Sequence, residues 1–257
     1  MMLSSDHIKD FAMEIKKLRP ISGRKTAVIA VVGADGSGKS TLGNYILEQM
    51  QRDRPTRFCH LGKQTGNWGR FIARMPFVGR KVDRKILNKS AATRSDKGAG
   101  GVTAFVVFVL SMRRVMRFLK MRFFHKQGYT ILTDRYPQAV IPGPMDGPSL
   151  VARNPDGKFV SILTRLEQKL YEWMATFKPD VVIRLNVDLQ TAVARKPDHR
   201  YESLARKIKD VPLLTFNGAP IFDLDSSLPL STVQQEAWLV VKHVLEMYPR
   251  YSEPESE

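Results

Sequence analysis

A chain of 257 residues with 43% hydrophobic content can bury the core of one large α/β domain, which sets aside disordered, fibrous and disulfide-stapled classes. Its one cysteine, Cys59, rules out an internal disulfide, and residues 1–15 carry Asp6, Asp10 and Glu14 with no apolar signal-peptide run, so a cytoplasmic location is expected. The formal net charge of +16 suits either an anionic partner or simply a solvated basic face, and charge alone does not decide between them.

In chain order, Ile8, Phe11, Ile15 and Leu18 share one helical face over residues 6–18, a helical extension (residues 1–22) closed by Pro20 and Gly23. Residues 27–32 are a β-branched apolar run and predict a strand buried on both faces. Leu42, Tyr45, Ile46 and Gln49 then recur at helical spacing over residues 41–50. Between strand and helix lies Gly33-Ala34-Asp35-Gly36-Ser37-Gly38-Lys39-Ser40, which fits the phosphate-binding pattern G-x-x-x-x-G-K-[ST]. Backbone N–H groups at such a helix start point at an anion, Lys39 can reach outer phosphates, and the Ser40 hydroxyl can ligate Mg²⁺. The expected ligands are therefore ATP and Mg²⁺, held by Gly33, Asp35, Gly36, Ser37, Gly38, Lys39, Ser40 and Thr41.

A second strand is expected at residues 57–61, running into Gly62 and Lys63. Glycines and a proline break residues 64–101 into irregular or short helical pieces, and a long helix follows over residues 102–126. Its apolar run from Val102 to Met112 is about half the roughly 20 residues that span a bilayer, and Arg113 and Arg114 follow at once. That helix should be buried in protein. Residues 129–133 predict a third strand ending in Asp134-Arg135-Tyr136, and residues 137–157 a long Pro- and Gly-rich loop. A helix (161–177), a strand (181–185), a short helix after Asp188, a basic loop (195–200), a strand (220–224) and a helix (232–247) complete the order, with an acidic tail at 250–257. Such alternation implies a single α/β domain over residues 1–257, a three-layer sandwich whose mainly parallel sheet lies between helices.

Positive charge is concentrated. Between Lys63 and Lys126 there are sixteen Lys or Arg against only Asp83 and Asp96. This basic region suits a phosphorylated substrate, nucleic acid or an anionic membrane surface, and charge alone does not separate these.

Several segments, in order, resemble the thymidylate kinase family of P-loop nucleoside monophosphate kinases. They are the P-loop with its acidic third residue Asp35, the Asp134-Arg135-Tyr136 triplet at a strand end with Gly128 before it, and Pro179-Asp180-Val181-Val182-Ile183-Arg184-Leu185 leading into Ala192-Val193-Ala194-Arg195-Lys196. The resemblance implies transfer of the γ-phosphoryl group of ATP to a nucleoside monophosphate such as dTMP. By that likeness Lys39 clamps donor phosphates, Ser40 and Asp134 hold Mg²⁺, and Asp35 contacts an acceptor sugar hydroxyl. Arg135 with Arg113 or Arg114 binds the acceptor phosphate, and Lys63 approaches it. The residues 63–126 become the acceptor side, and residues 195–203 a lid whose Arg195 or Arg200 supplies the catalytic cation. Pro137 and the segment Leu61-Gly62-Lys63-Gln64 depart from the family pattern, leaving a sugar-linked or lipid-linked acceptor open. A rival class is a P-loop NTP-binding regulatory or assembly protein whose basic region binds nucleic acid or a membrane. Nucleotide-sized molecules are the implied partners, with a homodimer also open.

Overall fold

The structure is a computed structural model that describes residues 11, 13–62, 100–150 and 157–249. It divides into two compact units interleaved along the chain: residues 1–60, 120–136 and 178–257 form the first, and residues 61–119 and 137–177 the second.

The first unit is built on five strands: β1 (Val28–Gly33), β2 (Thr56–His60), β3 (Thr130–Asp134), β4 (Val181–Asn186) and β5 (Ile221–Asp225). Their order across the sheet is β2-β3-β1-β4-β5, with every neighbouring pair parallel. Burial explains the placement. All six residues of β1 are buried, as its apolar, β-branched run requires of a central strand, whereas β2 exposes Arg57 and Phe58 and β5 alternates buried and exposed, as edge strands do. Arg184 on β4 grips Asp223 on β5 through two hydrogen bonds of 2.6 Å each, and the register places the two opposite each other.

Helix α1 (Lys39–Asp53) buries Leu42, Ile46 and Met50, one apolar stripe at four-residue spacing. The core it enters includes Ile29, Val31, Ile183 and Leu224 from the strands, and Val233, Ala237, Val240 and Val244 from a C-terminal helix at Leu230–Glu246. At the N-terminal edge of the sheet, buried Asp180 accepts from Val28 N at 2.7 Å, from Arg24 at 3.0 Å and from the Tyr248 hydroxyl, tying β1 and β4 to both flanking segments. The other edge, where β1 and β3 end, is left for the P-loop.

Helix α2 (Gly101–Lys126) begins in the second unit, which also holds α3 (Gly157–Thr176). Two buried polar centres join them. Glu167 on α3, with no exposed surface, accepts from the Ser111 hydroxyl of α2 and from Ser149 N and Leu150 N at 3.0 and 2.6 Å. Arg114 on α2 donates to Asp146 at 2.6 Å and to the Tyr171 hydroxyl at 3.2 Å. The expected long loop is irregular through residue 150. Its backbone is held by Gln138, which donates to Met145 O at 2.9 Å and accepts from Val140 N and Ile141 N at 2.8 Å each.

The chain after β4 differs from the sequence reading. Helix α4 (Leu189–Arg195) is followed, after a short turn, by α5 (Tyr201–Asp210), a ten-residue helix where the sequence reading placed no element. The C-terminal helix is thus α6. Residues 13–16 are helical, in line with the N-terminal expectation. The central architecture is the parallel sheet with flanking helices of a P-loop NTPase α/β fold. No helix among the described residues is long and apolar enough to cross a membrane.

Candidate phosphotransfer site

Strand β1 is where the chain changes direction across the sheet, since β2 and β3 lie to one side and β4 and β5 to the other. In open parallel sheets that point leaves a crevice beyond the strand C-termini, and ligands bind there. The P-loop fills it. Gly38 caps α1 in the left-handed region at φ 80°, with no side chain in the capping role, so the helix start presents backbone N–H groups rather than a carboxylate or hydroxyl. Gly36, at φ 84°, lies so near α4 that a Cβ there would come within 2.9 Å of the Ala192 carbonyl oxygen.

A cleft of about 300 Å³ opens beside this loop. It is lined by Lys39, Ser40 and Asn44 from α1, Phe58 and His60 from β2, and Asp134 from β3. The parallel register sets His60 directly opposite Asp134, and their side chains meet through Nδ1 and Oδ2 at 2.7 Å. Burial pushes the Asp134 carboxyl up, but the His60 hydrogen bond and the charges of Lys39 and Arg135 outweigh it, so the group is held below the usual carboxylate range. Its Oδ1 is buried with no hydrogen-bond partner among the described residues. Lys39 folds over the loop and donates to the Ala34 carbonyl at 2.5 Å.

Asp35 collects cations. Burial opposes its charge, yet the Lys207 ammonium, then Arg135 and Lys39, lower its pKa from 3.8 to about 2. Lys207 reaches it from α5, and Arg135 Nη2 lies 3.1 Å from Oδ1. Arg135 holds φ 68°, a left-handed conformation rare outside glycine, which turns its side chain back toward the loop just after β3. Arg195, at the end of α4, donates to the Gly36 carbonyl at 3.2 Å and to the Ser226 carbonyl at 3.0 Å.

Residues expected at the site therefore divide. The structure brings Gly33, Asp35, Gly36, Ser37, Gly38, Lys39, Ser40, Thr41, Asp134, Arg135 and Arg195 to one end of the sheet. Arg200 is exposed at the N-terminal cap of α5. Arg113 is exposed on α2, and Arg114 is 1% exposed with Asp146 and Tyr171 already neutralising and bonding its guanidinium. Lys63 lies outside the described residues. Lys207 and His60 belong to the site and were missed. His60 is legible only once the β2–β3 register is known, and Lys207 sits on a helix with a single buried residue, Leu204.

No protein-family model matches the chain. It is 39% identical to the uncharacterized ATP-binding protein YghS of Escherichia coli K12 over 226 residues, covering 87% of this chain and 95% of that one. The chain belongs to the YghS family. The uncharacterized ATP-binding protein YghR of the same strain is 36% identical over 220 residues, with 84% and 87% covered. Among solved structures, a deoxyadenosine kinase from M. mycoides with bound dATP superposes on this YghS-family chain with a TM-score of 0.46 at 15% identity, covering 83% of this chain and 98% of that one. At that distance nothing about substrate passes between the two.

Proposed function

We propose that this YghS-family protein is an ATP-dependent phosphotransferase that moves the γ-phosphoryl group of ATP to a small phosphorylated acceptor, of the nucleoside monophosphate class that includes dTMP. The observation that carries the reading is one cleft shared by Lys39 and Ser40 of the P-loop helix and by Asp134, whose Oδ1 is buried without a partner. The relatives' names as ATP-binding proteins support the donor. The acceptor class rests on the likeness of the P-loop and the Asp134-Arg135-Tyr136 triplet to thymidylate kinases.

The residues fit a magnesium ion. Ser40 and Asp134 offer hard oxygen donors to one space, and among the described residues no group of three His, Cys, Asp or Glu forms a closed metal cage. One or two protein ligands, completed by phosphate oxygens and water, is how Mg²⁺ is usually held. Bound there, Mg²⁺ would neutralise charge on the phosphates. His60 fixes the orientation of Asp134 by holding Oδ2, which leaves Oδ1 for the ion or its water.

The remaining chemistry is electrostatic. A phosphate acceptor is already largely ionised near neutral pH, so the chain need not remove a proton from the attacking oxygen. It must hold two polyanions in line and stabilise charge on the transferring group. The start of α1, free of any capping side chain, and the loop N–H groups cradle the donor phosphates, with Lys39 poised to exchange the Ala34 carbonyl for a phosphate oxygen. Arg135, just after β3, and Arg195, at the end of α4, both reach the loop and supply further positive charge.

A coupled ADP-release assay over nucleoside monophosphates, sugar phosphates and lipid-linked phosphates tests the proposal. One acceptor should raise ADP release well above the rate with ATP alone. Slow, acceptor-independent hydrolysis throughout the panel would instead favour the regulatory NTPase reading.

A further inference from the structure

We propose that Lys207 is a positioning residue: it latches α5 to the P-loop through Asp35, holding residues 195–200 against the phosphate site before nucleotide arrives. The consequence for nucleotide rests on the phosphotransferase reading above, whereas the latch itself does not.

A carboxylate inside a phosphate-binding loop is an electrostatic liability. Alone, Asp35 would repel the incoming phosphates and cancel the charge of Lys39. Its side chain is only 18% exposed, and that of Lys207 only 17%, so solvent screens the pair weakly and desolvation makes a missing partner expensive. Lys207 comes from 172 positions downstream. His199 Nε2, in the turn before α5, lies 3.9 Å from the same carboxylate oxygen.

A second tie binds the other side of this turn. Arg195 donates to the Gly36 carbonyl, and α4 approaches Gly36 so closely that a side chain there would strike Ala192. The segment between Arg195 and Tyr201 is thus flanked by ties to two adjacent P-loop residues, Arg195 to Gly36 at its start and Lys207, six residues beyond it on α5, to Asp35. Sequence alone suggests the opposite behaviour. Arg195, Lys196 and Arg200 crowd like charges around Pro197, which favours an open lid until phosphate neutralises it. Asp35 supplies a counter-charge within the chain. The latch thereby prepays part of the ordering entropy that closure would otherwise charge to nucleotide binding.

The experiment uses the full chain as wild type, Lys207→Met, Lys207→Arg, Asp35→Asn and the double variant Asp35→Asn/Lys207→Met, each checked for folding by thermal melt. Hydrogen exchange of residues 195–200 is read without nucleotide, and affinity for the non-hydrolysable ATP analogue AMP-PNP with Mg²⁺ is read by calorimetry. Lys207→Met should speed exchange in this segment about tenfold and weaken AMP-PNP about fivefold, as loss of a partly buried ion pair implies. Lys207→Arg should restore most of both. In the Asp35→Asn background, Lys207→Met should change neither reading further, because the two residues act as one contact. Unchanged exchange in a folded Lys207→Met protein overturns the latch, as does a full Lys207→Met affinity loss persisting in the Asp35→Asn background, which would place Lys207 directly on phosphate. Absence of AMP-PNP binding in the wild type would defeat the phosphotransferase reading instead, and the exchange comparison would still decide the latch.

Discussion

Lys39 donates back to the Ala34 carbonyl, so its ammonium lies over the loop and outside the core. Lys39→Ala is therefore expected to leave the thermal melt unchanged and to lower turnover by about 10²- to 10³-fold, the usual loss when one charge-stabilising contact to a transferring group is removed. A melt paired with a turnover assay checks it, and an active variant would sever the P-loop from the chemistry. Asp35 gives a pH signature. Its carboxyl titrates near 2 in the folded protein, against an ordinary 3.8, so its stabilising contribution is complete above about pH 5 and is lost as pH falls through 4 toward 2. Over that range the melting temperature of the wild type should drop more steeply than that of Asp35→Asn, and parallel curves would mean that the cations around Asp35 contribute nothing to folding. The P-loop residues were legible because their spacing is itself the chemistry. His60 was not, since its partner Asp134 lies 74 positions away and only the parallel register joins them.

Among elements, the strands and long helices were legible to within a few residues, because buried β-branched runs and four-residue apolar stripes leave few alternatives. Helix α3 already includes Gly157, at φ 90°, four positions before its expected start, because a glycine there reads as a breaker in sequence. Helix α5 was missed although Tyr201, Leu204 and Ile208 recur at helical spacing, with Glu202 in the first turn and Lys207 and Lys209 in the last complementing the helix dipole. Helix α1 shows the contrary case. Ile46, with no exposed surface, faces the core and does not line the cleft. Ile46→Ala should cost about 2–5 kcal/mol in urea unfolding while turnover per folded molecule stays near wild type. A catalytic defect without a stability loss would show that α1 is tuned from its buried side.

In the molecule as a whole, the excess of positive charge is partly internal business. Arg117 donates to the Gly62 carbonyl, and Arg57 stacks on Tyr129 with 4.7 Å between the guanidinium carbon and the ring centre. The buried pair Arg114–Asp146 is the sharpest example, because sequence likeness gives Arg114 to the acceptor phosphate while the fold seals it with a carboxylate held at φ 65°. Arg114→Met leaves Asp146 buried without its cation, and about 3–5 kcal/mol of stability should be lost. Unchanged stability with a raised acceptor KM would return Arg114 to the substrate. The central claim, phosphoryl transfer at the P-loop cleft, is tested most directly by following the γ-phosphate of labelled ATP into acceptors with the wild type and Asp134→Asn side by side. The account predicts Mg²⁺-dependent transfer to a phosphorylated acceptor by the wild type and a loss of about 100-fold or more in the variant. Transfer that survives in Asp134→Asn, or release of the label only to water with every acceptor, would contradict it.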